Sequence, residues 1–158
     1  MMLLRLCAAL ALGLLGLIGW QLAPLEPSIV ALQMAFTPLR FGEIVHAWPA
    51  EHLLLYRQHF ALDFVLLLAY AAFGFLLATR TRVFDTLGGV GASVARWCLP
   101  LAAVFDATEN LLHLWLTEVP RFGVPMVYAA AGCCSLLKWL LLLGFGCLAA
   151  CALARPRG

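Results

Sequence analysis

Five polar residues recur at helical spacing inside a stretch that is otherwise apolar. They are Asp106, Glu109, Asn110, His113 and Thr117. Because an α-helix turns by about 100° per residue, these side chains share one stripe of a helix, whereas Leu111 and Trp115 point elsewhere. Two carboxyl groups and an imidazole on one face can exchange protons with a substrate, or pass protons and cations along the stripe. The stripe is where the sequence predicts a functional site.

Three further residues are predicted to face this stripe from neighbouring helices. Asp63 and Tyr70 lie two helical turns apart and therefore share a face, and Lys138 lies near the middle of the last apolar stretch. A charge at the centre of a membrane span costs about 2.5 to 3.5 kcal/mol, while an ammonium about 4 Å from a carboxylate recovers about 4 kcal/mol at an effective dielectric of about 20. Contact between Lys138 and the stripe is therefore expected.

One lysine cannot neutralise two acids. Either Asp106 or Glu109 holds a proton, or His113 is charged, or a cation is bound. The acid–base interpretation makes Asp106, Glu109 and His113 catalytic. It assigns substrate binding to Asp63, Tyr70, Asn110 and Lys138. Carboxylate bundles that hold two irons use Glu-x-x-His motifs from two helices, whereas Glu109 and His113 are spaced i, i+4, so neither a metal nor another cofactor is predicted.

The composition places these residues in a membrane. The chain has 158 residues, of which 65% are hydrophobic and only 11% are charged, against about 25% charged in soluble domains. Four windows are long and apolar enough to cross a bilayer: about 3–23, 61–79, 94–117 and 126–153. We therefore predict an all-α fold, a membrane bundle of four transmembrane helices forming one domain over residues 1–158. No cluster of Lys and Arg indicates nucleic-acid binding.

A short amphipathic helix is predicted in the first extracytoplasmic loop. Thr37 followed by Pro38 is a helix-start signal, and apolar residues at near-helical spacing continue to Trp48. This helix either lies on the outer leaflet with Trp48 at the headgroup level, or packs across the top of the bundle. Both arrangements stay open at this point.

The arginines predict the orientation and the depth of the site. With a cytoplasmic N-terminus, six arginines fall on the inside and three on the outside, which places both termini in the cytoplasm. Counted inward from Arg80 and Arg96 at the cytoplasmic edge, Asp63 and His113 both lie about 25 Å up. Asp106 and Glu109 lie below them, so we expect a polar cavity that opens outward.

Three segments carry a resemblance to a known group. They are Thr-Pro-x-Arg-Phe-x-x-Ile-x-x-x-Trp at 37–48, Leu-Asp-Phe-x-x-x-x-x-Tyr at 62–70, and Asp-x-x-Glu-Asn at 106–110. Together they resemble a family of uncharacterised bacterial four-helix integral membrane proteins. The resemblance implies a multi-pass protein of the inner (cytoplasmic) membrane and no particular activity. A fainter likeness to the sterol-isomerase-like membrane fold transfers no residues, because that fold has an additional helix and a different order of acids.

Three functions follow from these features. The first is binding or acid–base conversion of a lipid-like small molecule at the polar site. The second is a proton- or cation-coupled carrier or channel that works as a homo-oligomer, since four helices alone enclose only a narrow path. The third is a non-catalytic partner subunit in which the polar groups only hold helices together. The expected partners are membrane lipid and a lipid-like ligand.

Overall fold

The computed structural model describes residues 1–155, and this part of the chain contains α-helices and no β-strand. The helices are α1 (Met2–Leu22), α2 (Ile29–Gln33), α3 (Pro38–Ala47), α4 (Ala50–Arg80), α5 (Gly88–Leu116) and α6 (Pro125–Ala154), with a 3₁₀ turn at Asp85–Leu87. Four of them, α1, α4, α5 together with the 3₁₀ turn, and α6, are long and apolar enough to cross a membrane. The predicted all-α membrane fold is confirmed.

The predicted start signals lie where helices begin. The Thr37 side chain accepts a hydrogen bond from the backbone N–H of Arg40, and Pro38 occupies the first helical position of α3. Pro125 opens α6 in the same way. Pro49 separates α3 from α4, and α4 then continues without a break to Arg80. The second span is therefore preceded by about three helical turns that the hydropathy window at 61–79 did not include.

The long helices pack in chain order, α1 on α4, α4 on α5 and α5 on α6. Short connections between α4 and α5 and between α5 and α6 make each of these pairs antiparallel neighbours. The α4–α5 contact is close at Gly74, where a Cβ would lie 2.7 Å from side-chain atoms of Leu99. Glycine is needed there because the two helices approach too closely for any larger residue.

Helix α1 is attached to the bundle along one side only. It packs against α4 but not closely against α6, so the row of helices leaves a gap between its first and last members. Of the residues of α1, only Leu4, Ile18 and Leu22 are buried. Residues on both sides of this gap line the cavity described below.

Helices α2 and α3 cover one end of the bundle, which we call the α2–α3 end. Phe41 and Ile44 of α3 are buried, and the Phe41 ring packs edge-on against Tyr128 of α6, with 5.1 Å between centroids. Trp48 is only 5% exposed, and its Nε1–H donates to the carbonyl oxygen of Pro27 over 2.8 Å. The indole of Trp48 packs against Tyr56. The contacts favour the helix packed across the bundle.

Candidate functional site

The expected contact between Lys138 and the polar stripe is present. The Lys138 ammonium donates to Asp106 Oδ1 over 2.7 Å and lies 2.8 Å from Glu109 Oε2. We call these three residues the buried triad, since each is at least nine-tenths shielded from solvent. Glu109 Oε2 accepts no hydrogen bond within residues 1–155, so its contact with Lys138 is an ion pair without hydrogen-bond geometry. The burial follows from the helical spacing, which turns Asp106 and Glu109 toward α6.

Helix α4 supplies the other two predicted binding residues. The Tyr70 hydroxyl donates to Asp106 Oδ2 over 3.0 Å, so Asp106 is held by Lys138 on one oxygen and by Tyr70 on the other. Asp63 lies two helical turns from Tyr70 on α4, and its Oδ2 accepts a hydrogen bond from Asn110 Nδ2 over 2.5 Å. Tyr70 is buried and Asp63 is partly exposed. Residues from α4, α5 and α6 therefore meet in one polar cluster.

His113 does not join this cluster. Its Nδ1 forms a hydrogen bond with the Tyr56 hydroxyl over 2.6 Å, and its ring packs edge-on against Phe41 of α3, with 5.3 Å between centroids. The predicted common level of Asp63 and His113 is wrong, because Asp63 pairs with Asn110, about one turn below His113. Helix α5 begins at Gly88, so Arg96 already lies inside the helix and is a poor marker of its edge.

A cavity of about 880 Å³ lies beside the cluster. Its polar wall contains Asp63, Tyr70, Asp106, Asn110 and Lys138. Its apolar walls come from opposite sides of the gap, with Leu12, Leu15 and Ile18 on α1 and Leu142 and Phe145 on α6 among them. Predicted site residues Glu109 and His113 do not line it, since Glu109 lies behind Lys138 and His113 faces Phe41.

The cavity reaches the α2–α3 end of the bundle, and its predicted outward opening stays a prediction. At the α2–α3 end it is bordered by Leu25, Ile29 and Gln33, and Trp139 Nε1–H of α6 donates to Gln33 Oε1 over 3.1 Å. This bond ties α2 to α6 across the top of the gap. Below this end the cavity borders the gap between α1 and α6, along the sides of two helices that the hydropathy assigns to the hydrocarbon.

Tyr56 and His59 are among the lining residues that were not predicted from the sequence. Tyr56 and His59 both lie on α4, are buried, and border the cavity. The apolar window began at 61 and left both residues out, because Glu51, Arg57 and their neighbours lower the hydropathy of 50–60. Helical spacing was the usable signal, since His59 lies one turn from Asp63 on the same face.

The charges of the cluster do not cancel. The triad holds two carboxyl groups and one ammonium, and Asp63 adds a third carboxyl group, so neutrality requires bound protons or a further cation. Two linked carboxyl groups of this kind can hold and release a proton beside a ligand. Over residues 1–155, no group of three or more His, Cys, Asp and Glu side chains is arranged to hold a metal ion.

The fold and the site define a helical membrane-protein architecture with a polar cavity among its apolar helices. No protein-family model, curated protein or solved structure matches this chain.

Proposed function

We propose that the protein binds a lipid-like small molecule in the cavity between α1 and α6. The observation that carries this proposal is the division of the cavity into apolar walls on α1 and α6 and a polar wall that includes Asp106 and Lys138. An amphiphile matches this division, with its chain against the apolar walls and its polar group against the cluster. The volume of about 880 Å³ lies within the usual range of about 300 to 1,000 Å³ for small-molecule sites.

The gap between α1 and α6 supports entry of the ligand from the hydrocarbon. A molecule dissolved in the membrane would slide between the two helices without crossing a polar surface. Of the glycines along this route, Gly19 on α1 and Gly146 on α6 border the cavity, and a Cβ at either position would meet no atom within 4 Å. The small residues leave the entrance open.

The buried triad supports an acid–base reaction of the bound ligand as part of this proposal. Asp106 borders the cavity and would exchange a proton with the ligand, while Lys138 and Glu109 set the charge around it. Tyr70 and Asn110 would orient the polar group of the ligand through hydrogen bonds. His113 is not part of this step, because its contacts are with Tyr56 and Phe41.

A proton- or cation-coupled carrier is the second candidate, and the excess of carboxyl groups over the single lysine favours it. Proton or cation flux into proteoliposomes tests it. The carrier predicts flux that the combined substitution Asp106→Asn and Glu109→Gln abolishes, while absence of flux in the unaltered protein rejects it.

We also propose that the protein belongs to the bacterial four-helix group and that it lies in the inner membrane with both termini in the cytoplasm. Both proposals are supported by the three sequence segments and by the distribution of arginines along the chain.

Lipid extraction from the purified protein tests ligand binding. The Gly19→Phe substitution places a ring in the cavity, whereas Gly16→Phe places the same ring on the same helix away from it, again with no atom within 4 Å of the new Cβ. We expect a molecule at near-stoichiometric amount in extracts of the unaltered protein and of Gly16→Phe, and its loss from Gly19→Phe. An identical lipid profile for all three proteins would reject the proposal.

A further inference from the structure

The cavity has a marked imbalance between hydrogen-bond donors and acceptors. Tyr70 directs its only hydroxyl proton at Asp106, Lys138 directs its ammonium at Asp106 and Glu109, and Asn110 donates to Asp63. The principal donors are thus already turned toward carboxyl groups of the protein. What the polar wall offers to a ligand is mainly acceptor capacity.

Asp63 is the carboxyl group best placed to accept a hydrogen bond from a ligand. It borders the cavity, is partly exposed, and has Asn110 as its hydrogen-bond partner, whereas the lysine is engaged by the triad. His59 adds a second acceptor. Its Nδ1–H donates to the Tyr56 carbonyl oxygen, which leaves Nε2 of a neutral imidazole as an acceptor.

Acidic residues outnumber basic residues around the cavity. Among the lining residues within 1–155, the acids are Glu26, Asp63 and Asp106, and Lys138 is the one lysine or arginine. Aromatic rings of Phe60, Tyr70 and Trp139 also border the cavity. Aromatic faces attract ammonium groups, most strongly where water is excluded.

From these observations we propose that the ligand is a cationic amphiphile, with an ammonium head at Asp63 and an apolar chain between α1 and α6. This inference rests on the proposed function and specifies the chemistry of its ligand. An ammonium supplies the donors that the polar wall lacks and offsets the excess of carboxyl groups. An anionic head would meet Asp63 and Glu26 without a free lysine or arginine to receive it.

Three probes with the same chain separate head-group charge from chain burial: tetradecylamine, tetradecanol and tetradecanoate. Their binding is measured by native mass spectrometry of the full-length protein in one neutral detergent. We expect the amine to bind at least about tenfold more tightly than the other two, since an ion pair in a partly buried site contributes on this order. Asp63→Asn should remove most of that preference.

The matched control is Glu51→Gln, which exchanges an acid for its amide at an exposed position in the first turn of the same helix. It should keep the preference for the amine. Because the selectivity of the unaltered protein tests the charge preference by itself, the experiment decides even when Asp63→Asn does not fold.

The outcomes separate the two proposals. Equal binding of all three probes, or a preference for the carboxylate, would overturn the cationic ligand and leave lipid binding intact. A preference for the amine that Asp63→Asn retains would also overturn it. No binding of any probe would overturn both.

Discussion

Lys138 Nζ lies 2.7 Å from Asp106 Oδ1, and both side chains are at least nine-tenths buried, although they come from two different membrane-spanning helices. A charge in such a position is tolerated only when it is paired. The contact therefore fixes how α6 is rotated against α5, and it places the polar group of Asp106 at the cavity wall.

Substitution of Lys138 by Met should destabilise the protein strongly. It leaves Asp106 and Glu109 side by side without the ammonium, and removal of one partner from a buried ion pair costs about 3 to 5 kcal/mol. Adding Asp106→Asn and Glu109→Gln to Lys138→Met removes the uncompensated charges and should restore much of the loss. Thermal unfolding in detergent measures the loss of stability in Lys138→Met and its recovery in the triple variant. Additive effects of the three substitutions would mean that the residues do not act as a unit.

Substitution of Tyr70 by Phe removes the hydroxyl that donates to Asp106 Oδ2. Loss of a hydrogen bond to a charged group costs about 1.5 to 3 kcal/mol, and the polar wall of the cavity is altered at the same time. We expect lower thermal stability and less ligand in lipid extracts. Tyr128→Phe is the control, since its hydroxyl donates to the Arg121 carbonyl oxygen away from the cavity. Equal ligand loss in both variants would contradict a role for Tyr70 in binding.

Substitution of Gly74 by Ala should loosen the contact between α4 and α5. The new methyl group would lie 2.7 Å from Leu99, and overpacking of this kind costs about 1 to 3 kcal/mol. Gly144→Ala, where a Cβ meets nothing within 4 Å, should instead gain up to about 1 kcal/mol from helix propensity. The unfolding temperatures of the two variants, each compared with that of the unaltered protein, test this prediction. Stabilisation by both substitutions would disprove the close approach at Gly74.

The proposed orientation predicts where reporter domains become active. Alkaline phosphatase folds only outside the cytoplasm, so a fusion at the C-terminus should be inactive, and an insertion between α5 and α6, after Pro120, should be active. Green fluorescent protein fused to the C-terminus should fluoresce. The opposite pattern would reverse the orientation without affecting the cavity.

The sequence was sufficient to predict features that depend on periodicity and charge. Helical spacing placed Asp106, Glu109 and Asn110 on a buried face, and the cost of an unpaired charge predicted the contact of the two acids with Lys138. The start of α3 at Thr37 and Pro38 followed from local capping chemistry. Each of these depends on neighbours within a few residues or on one strong electrostatic requirement.

The predicted common level of Asp63 and His113 was wrong because it depends on how far α5 is shifted along α4. Arginines mark the edge of a span only roughly, because their long side chains reach the membrane surface from different depths. The level of His113 was therefore misplaced by about one turn. The packing face of α1 was not predicted for a different reason, since α1 is apolar along nearly its whole length and carries no pattern that indicates which face packs against the bundle.

The most direct test of the central claim is photo-crosslinking in native membranes. A benzophenone amino acid at Leu142 would line the cavity, while the same group at Leu143, which is 65% exposed, would face outward. Mass spectrometry of the crosslinked protein should find one predominant small-molecule adduct at position 142 and the mixture of bulk membrane lipids at position 143. The same lipid mixture at both positions would contradict a ligand-binding cavity.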